Sequence, residues 1–360
     1  MAARSWVTSI CTAIGVAAGA GAAQLGVGYG LSVIAWVPAV EDSSQSLWLA
    51  SLAWVAWLAA NSTVVGALVA DRLSQRGNDD EVGSGSGSGR RPIDVVWRCV
   101  IALAAAIGAL VTVPLVAVPA RFAHQVNNSA PQFTAGGYAV VGVIIGLVAA
   151  IGALNIRAIA ANVISSAAWL WLLAVVAVTH GLRSGAGVGI AQLATWQFTE
   201  GRWLRGMVNL PSALLMLSSA LLIGAAASWA AGRRGDHRVG VAISGAVGPL
   251  LVAAAYLLAI PGIDGGDQQL SAYVTAPYAV IAGLAGSVLV SALGSWGARA
   301  RARAERETLR ALGFTTAAPR WPHNSFRVFS RSASTSQATI SPSLFISAAR
   351  RAVLPPGAAQ

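Results

Sequence analysis

The 360 residues carry 10% charged and 56% hydrophobic side chains, with a mean hydropathy of +0.65. Soluble domains carry roughly 25% charged residues, so a chain this apolar cannot bury its surface in water. A net charge of +11 would point to nucleic acid in a soluble protein, but here the arginines flank apolar runs, where membrane orientation accounts for them.

Uncharged apolar runs of about eighteen residues or more are candidate membrane helices. The first extends from Trp6 to Pro38. A signal peptide would suit Arg4 and the small residues Ala20, Gly21 and Ala22. Apolar sequence continues to Val37, however, which predicts a retained span of about 25 residues. A second span, Leu47 to Ala70, follows the acidic turn at Glu41 and Asp42. Then comes NDDEVGSGSGSGRRPID, residues 78 to 94. Spans flank it on both sides, so it reads as a solvated Gly/Ser-rich loop joining two hairpins.

A third span begins at Arg98, and a fourth covers about Ala135 to Leu154. Asn155, Ile156 and Arg157 form a tight turn into a fifth, about Ala158 to Thr179. The sixth runs from about Val208 to Ala231, the seventh from Gly240 to Ile260, and the eighth from Ala272 to Trp296. With a cytosolic N-terminus, the inner connections hold Arg4, Arg72, Arg76, Arg90, Arg91, Arg98, Arg157, Arg233, Arg234, Arg238, Arg299, Arg301, Arg303, Arg306 and Arg310. Only Arg121, Arg183, Arg202 and Arg205 fall outside, the bias expected of the positive-inside rule.

The predicted fold is an all-α polytopic integral membrane helix bundle of about eight transmembrane helices in the cytoplasmic membrane, both termini cytosolic. Residues 1–297 form the transmembrane domain, with a cytosolic loop at 71–97 and an outer interfacial segment at 180–207. A basic helix follows at 298–314, where Arg301 and Glu305, and Arg303 and Glu307, stand at i,i+4. Residues 315–360, rich in Ser, Ala, Thr and Arg, lack long periodicity and read as disordered.

Ionisable groups inside a span mark transport paths or proton relays, because burying a charge in hydrocarbon is costly. The predicted spans hold almost none, which disfavours a pump built on in-membrane carboxylates. The carboxamides of Asn61, Asn162 and Gln24 are the intramembrane polar contacts to consider. They serve either as hydrogen-bonded glue between helices or as substrate contacts. Small residues recur at helix-packing spacing, Gly15 to Gly19, Gly26 to Gly30 and Gly142 to Gly146, and predict close packing inside the bundle, with self-association as the alternative. Pro114, Pro211 and Pro249 predict kinks.

In the outer segment, Trp196 and Trp203 accompany Glu200, Arg202 and Arg205, which suits a headgroup-level helix or a re-entrant piece. The two guanidiniums and the carboxylate make these five residues the candidate contacts for lipid or a partner protein. GAGVG at 185–189 follows no strand and lacks a Walker lysine, and GSGSG lies in a flexible run, so neither supports phosphate binding or a nucleophile elbow. His124, His180, His237 and His323 are scattered, and Cys11 and Cys99 lie near the starts of apolar runs as small hydrophobes. No catalytic constellation, metal site or cofactor is expected.

The expected partners are the bilayer, anionic headgroups at the arginine cluster after the last span, and a membrane-protein partner. Nucleic acid is not expected, because no aromatic interleaving accompanies the arginines. All 24 basic residues are arginine; with abundant Ala, Gly and Val this is the composition of multi-pass proteins from high-GC bacteria. Two functions fit: a non-enzymatic membrane component that binds partner proteins or lipid, and a transporter or permease for a small neutral or lipophilic substrate. An internal repeat would favour the second, and the two halves, compared by eye, share only a general Ala-Gly likeness.

Overall fold

A computed structural model describes residues 2–36, 42–79, 92–123, 130–183, 191–196, 202–203, 208–259 and 267–311. Met1–Arg303 is one compact unit and Ala304–Gln360 a second, of which the helical residues 304–311 are described. The elements in chain order are α1 (Ala2–Gly30), α2 (Asp42–Asp79), α3 (Pro92–Ala109), α4 (Thr112–Ala120), α5 (Pro131–Asn155), α6 (Arg157–Arg183), α7 (Leu210–Arg233), α8 (Arg238–Ile243), a 3-10 turn (Ser244–Ala246), α9 (Val247–Leu258) and α10 (Asp267–Ala311). Between α6 and α7, the two-residue strands β1 (Arg202–Trp203) and β2 (Val208–Asn209) pair antiparallel. Eight segments among these helices are long and apolar enough to cross a membrane. The chain is an all-α, multi-pass membrane helix bundle in contact with lipid.

Helix limits depart from the sequence reading where polar residues continue a helix. Asp71 to Asp79 belong to α2, and α3 starts at Pro92, so helices take both ends of the expected 71–97 loop, and residues 80–91 lie outside the described ones. The basic helix expected at 298–314 is the continuation of α10, because Ala, Arg and Glu are strong helix formers. The 315–360 tail lies outside the described residues.

The third and seventh spans are each broken. In the third, α3 gives way at Leu110 and Val111 to shorter-range bonds, Val111 N–H to Gly108 O at 3.2 Å and Val113 N–H to Leu110 O at 3.0 Å. In the seventh, the 3-10 turn separates α8 from α9. Pro114 and Pro249 fall in the first turns after these breaks, and Pro211 in the first turn of α7. A missing N–H costs nothing there, so these prolines begin helices where mid-helix kinks were expected. Pro277 does lie inside α10.

The second span is the axis of the bundle. Its most apolar stretch is 89% buried, against at most 56% for any other span, and α2 packs on α1, α3, α5, α6 and α9. Close approach comes from small residues. A side chain at Gly142 or Gly146 of α5 would come within 3.0 Å of the backbone at Ala56 and Ala60 of α2. Gly15, Gly19, Gly26 and Gly30 behave otherwise: nothing lies within 4 Å of a Cβ at any of them. Of the predicted packing glycines, those of α5 are inside the bundle, whereas those of α1 face outward.

The two halves follow one plan. In the first, α1 packs on α2 and α3, α2 on α3 and α5, and α4 on α5. In the second, α6 packs on α7, α8 and α9, and α7 on α8 and the 3-10 turn. Glycine contacts join α10 to α7 and to that turn. In each half the described stretch after the first span, 31–36 and 191–196, is non-helical. Each stretch holds a non-glycine residue at positive φ, Ser32 at 54° and Ala194 at 61°, the two such residues among those described.

A matching register appears in the sequence. Arg98, Ala102, Ala106, Gly108 and Leu110 recur as Arg238, Ala242, Ala246, Gly248 and Leu250. At the same spacing, Tyr138, Ala139, Val140, Gly146 and Val148 recur as Tyr278, Ala279, Val280, Gly286 and Val288. Matched glycines do matched work. A Cβ on Gly108 would strike Ile14 of the first span, and one on Gly248 would strike Ser166 and Asn162 of the fifth. Gly146 abuts Ala60 of the second span, as Gly286 abuts Leu221 of the sixth. At these positions, in the third and fourth spans against the seventh and eighth, the likeness goes beyond shared Ala and Gly.

Overpacking a close helix contact costs roughly 1–3 kcal/mol. Gly146→Val is thus expected to lower the thermal unfolding midpoint in detergent, while Gly26→Val, on the outward face, leaves it unchanged. Equal midpoints would mean that α2 and α5 do not depend on that approach.

Candidate functional site

At one end of the bundle the turns of both halves enclose a vestibule of about 720 Å³, within the size range of small-molecule sites. The end of α2 supplies Asp71, Arg72, Ser74 and Gln75, and the start of α3 supplies Asp94, Trp97 and Arg98. The α5–α6 turn adds Asn155, Ile156 and Arg157, and the α7–α8 turn adds Arg234, Asp236 and His237. Asp94 and Arg234, and Trp97 and His237, are equivalent positions in the repeat register, so the halves contribute matching sites to the rim.

The polar groups here are organised. Gln75 Nε2 donates to Asp71 Oδ2 at 2.6 Å, which holds the carboxylate on its own helix. Arg98 Nη1 donates to Asn155 Oδ1 at 3.3 Å, and Asn155 Nδ2 donates back to Ile151 O at 2.8 Å. Arg234 Nε lies 3.6 Å from Asp236 Oδ2 as an ion pair. Asp71 sits in the field of Arg98, Arg72 and Arg157. The guanidiniums of Arg72 and Arg157 make no hydrogen bond or close ion pair among the described residues.

Deeper along the same helices lies a second, mainly apolar cavity of about 30 Å³, room for about two waters on this measure. Ser166 and Trp169 of α6, Met216 and Ser219 of α7, and Gly248 and Pro249 of α9 line it. On α6 the vestibule ends at Ala161 and this cavity begins at Ser166, about 7.5 Å along the axis at the helical rise. Asn162 falls between them. It is fully buried, and its Oδ1 accepts from Gly248 N at 2.8 Å, which ties the fifth span to the seventh. Its Nδ2 and the indole Nε1 of Trp169 are buried N–H donors with no hydrogen-bond partner among the described residues. Such donors favour any molecule that brings an acceptor oxygen.

The other intramembrane carboxamides join two helices: Asn61 Nδ2 of α2 donates to Gln24 Oε1 of α1 at 2.9 Å.

The outer segment expected at 180–207 is helical only to Arg183, the end of α6, among its described residues. After α6 ends at Arg183, Ala191 to Ala194 are non-helical and buried within the bundle. The backbone there finds its acceptors' partners on distant spans: Trp54 Nε1 donates to Ala191 O at 2.7 Å and Tyr256 OH to Leu193 O at 2.5 Å. Irregular backbone at membrane depth persists only where protein satisfies it in this way. The described part is therefore a buried, non-helical piece held by two spans. Trp196, at its end, stacks edge-on with His180 at 5.9 Å between ring centres. Arg202 and Trp203 form the strand paired with Val208 and Asn209, whereas Glu200 and Arg205 lie outside the described residues.

Sequence reading missed the vestibule group, Asp71, Arg72, Arg98, Asn155 and Arg157. The available signal was the alternation of the spans, which puts all three inner turns on one face. Among the described residues no three His, Cys, Asp or Glu side chains are placed to hold a metal ion. The chain matches no protein-family model, no curated protein and no solved structure.

Tyr256→Phe removes the hydroxyl that Leu193 O accepts from and leaves a buried carbonyl unpaired, a loss of roughly 1–3 kcal/mol. Amide hydrogen exchange in 191–196 should accelerate by about tenfold or more. Unchanged exchange would show that Tyr256 does not latch this piece.

Proposed function

We propose that the protein is a transporter or permease, non-enzymatic, built from two four-span halves around the vestibule. The observation that carries this reading is the vestibule's position between halves of matching plan. Transporters made of repeats bind substrate at the repeat interface, and interrupted spans at corresponding places in the two halves point to it. Here the interrupted spans are the third and the seventh. The inner cavity carries no charged lining residue, and Trp169, which lines it, holds an unpaired indole N–H, features that suit a small neutral group bearing an acceptor oxygen. The excess of arginine on the vestibule side supports a cytosolic vestibule, cytosolic termini and residence in the cytoplasmic membrane.

A second reading, a membrane component that binds a partner protein or lipid, draws on the outward glycines of α1, since small residues let another helix approach. Mild-detergent purification followed by mass spectrometry separates the two. Transport predicts a chain that retains a small molecule or lipid; a stoichiometric protein partner would shift the assignment to the second reading.

Transport further requires the halves to move. Spin labels at Asp94→Cys and Arg234→Cys, with Cys11 and Cys99 replaced by Ser, are expected to give two distance populations in lipid nanodiscs. A single narrow distance, unaltered by the retained molecule, would sink the transport reading.

A further inference from the structure

We infer that the vestibule is an oxyanion site, in which one phosphate or carboxylate group bridges Arg72 and Arg98 of the first half to Arg157 of the second. This goes beyond the transport reading and does not depend on it. Among the described residues four arginines and three aspartates line the hollow, so positive charge is in excess by one. The acids are committed in part already: Asp236 pairs with Arg234, and Asp71 takes the Gln75 amide. Arg98 gives one N–H to Asn155 and keeps others. Arg72 and Arg157 give none to the described residues.

Orientation alone would not produce this arrangement. An arginine that only anchors a span needs water or headgroups around it, whereas these come from separate segments and line one cavity of about 720 Å³. A guanidinium presents a planar fork of N–H donors that matches two oxygens of a phosphate or carboxylate. Carbonyl and carboxamide oxygens in the wall cannot neutralise such a group. An oxyanion can, and by touching both halves it would hold them together at this end. A neutral solute would leave the excess positive charge unanswered. The same chemistry is offered by a water-borne anion and by the phosphate of an anionic lipid headgroup.

The full-length protein in phosphatidylcholine nanodiscs, titrated with radiolabelled inorganic phosphate by equilibrium dialysis, separates these sources. A water-borne ligand predicts saturable, one-site binding, weakened about tenfold or more in Arg72→Gln and Arg157→Gln, the scale of one lost charge-assisted contact. Arg306→Gln, on the exposed end of α10, should not alter it. Asp71→Asn removes a competing carboxylate and should tighten binding, a gain that a misfolded variant cannot mimic. A headgroup ligand predicts no phosphate binding in those discs but retention of phosphatidylglycerol from mixed discs in native mass spectrometry, lost in Arg157→Gln. Absence of both kinds of binding, or indifference of both to Arg72, Arg157 and Asp71, would overturn the site. Solute flux without anion binding would overturn it and leave transport standing; anion binding with one rigid vestibule distance would do the reverse.

Discussion

Helices in a bilayer gain little by hiding apolar surface from one another, because lipid tails are as apolar as leucine. Their association must come from close packing, and here the second span supplies it. Alanines along α2 let Gly142 and Gly146 of α5 bring backbone almost against backbone. Trp54 and Trp57 fill the wider spaces at the other levels, and Trp54 meets Trp171 of α6 at 5.9 Å. Through these contacts α2 touches both halves, which is why it is buried where other spans face lipid.

From that axis follows the place of the polar hollow. Two four-span halves that each use one glycine between their first and third spans and another between their second and fourth end their inner turns at the same level. Residues unremarkable singly, an aspartate late in α2, an arginine early in α3, an asparagine at a one-residue turn, meet around one space. The hollow space is then divided in two, a charged vestibule and a mainly apolar cavity, with the carboxamide of Asn162 between them. That division suits a path whose ends differ in dielectric environment, since ions stay where water or counter-charge can reach them.

The eight spans are legible in the sequence because an uncharged run of that length has few other uses, and the turn at Asn155–Arg157 is legible because polar residues interrupt apolar ones there. The glycines are less so. With 39 of them in the chain, spacing alone cannot separate Gly146, which sits on Ala60, from Gly26, which sits on nothing. The repeat hides for the same reason: Ala and Gly match Ala and Gly everywhere, and only the crossing contacts pick out which matches matter. The vestibule escapes a linear reading because each arginine is already explained by orientation, one at a time. Convergence of four such ends is a three-dimensional fact. The non-helical piece at 191–196 likewise depends on partners 137 and 63 residues away in the chain.

That last separation bears on the order in which the molecule is built. Trp54 enters the membrane early, but Leu193 O waits for Tyr256, on the seventh span. While the chain is being inserted, the link between the fifth and sixth spans has only part of its polar backbone satisfied. It must stay at the wet surface, or rest provisionally on Trp54, until the seventh span arrives. Docking of this piece is therefore a late event that two aromatic side chains complete, and a nascent chain stalled before Tyr256 would present it undocked to quality control.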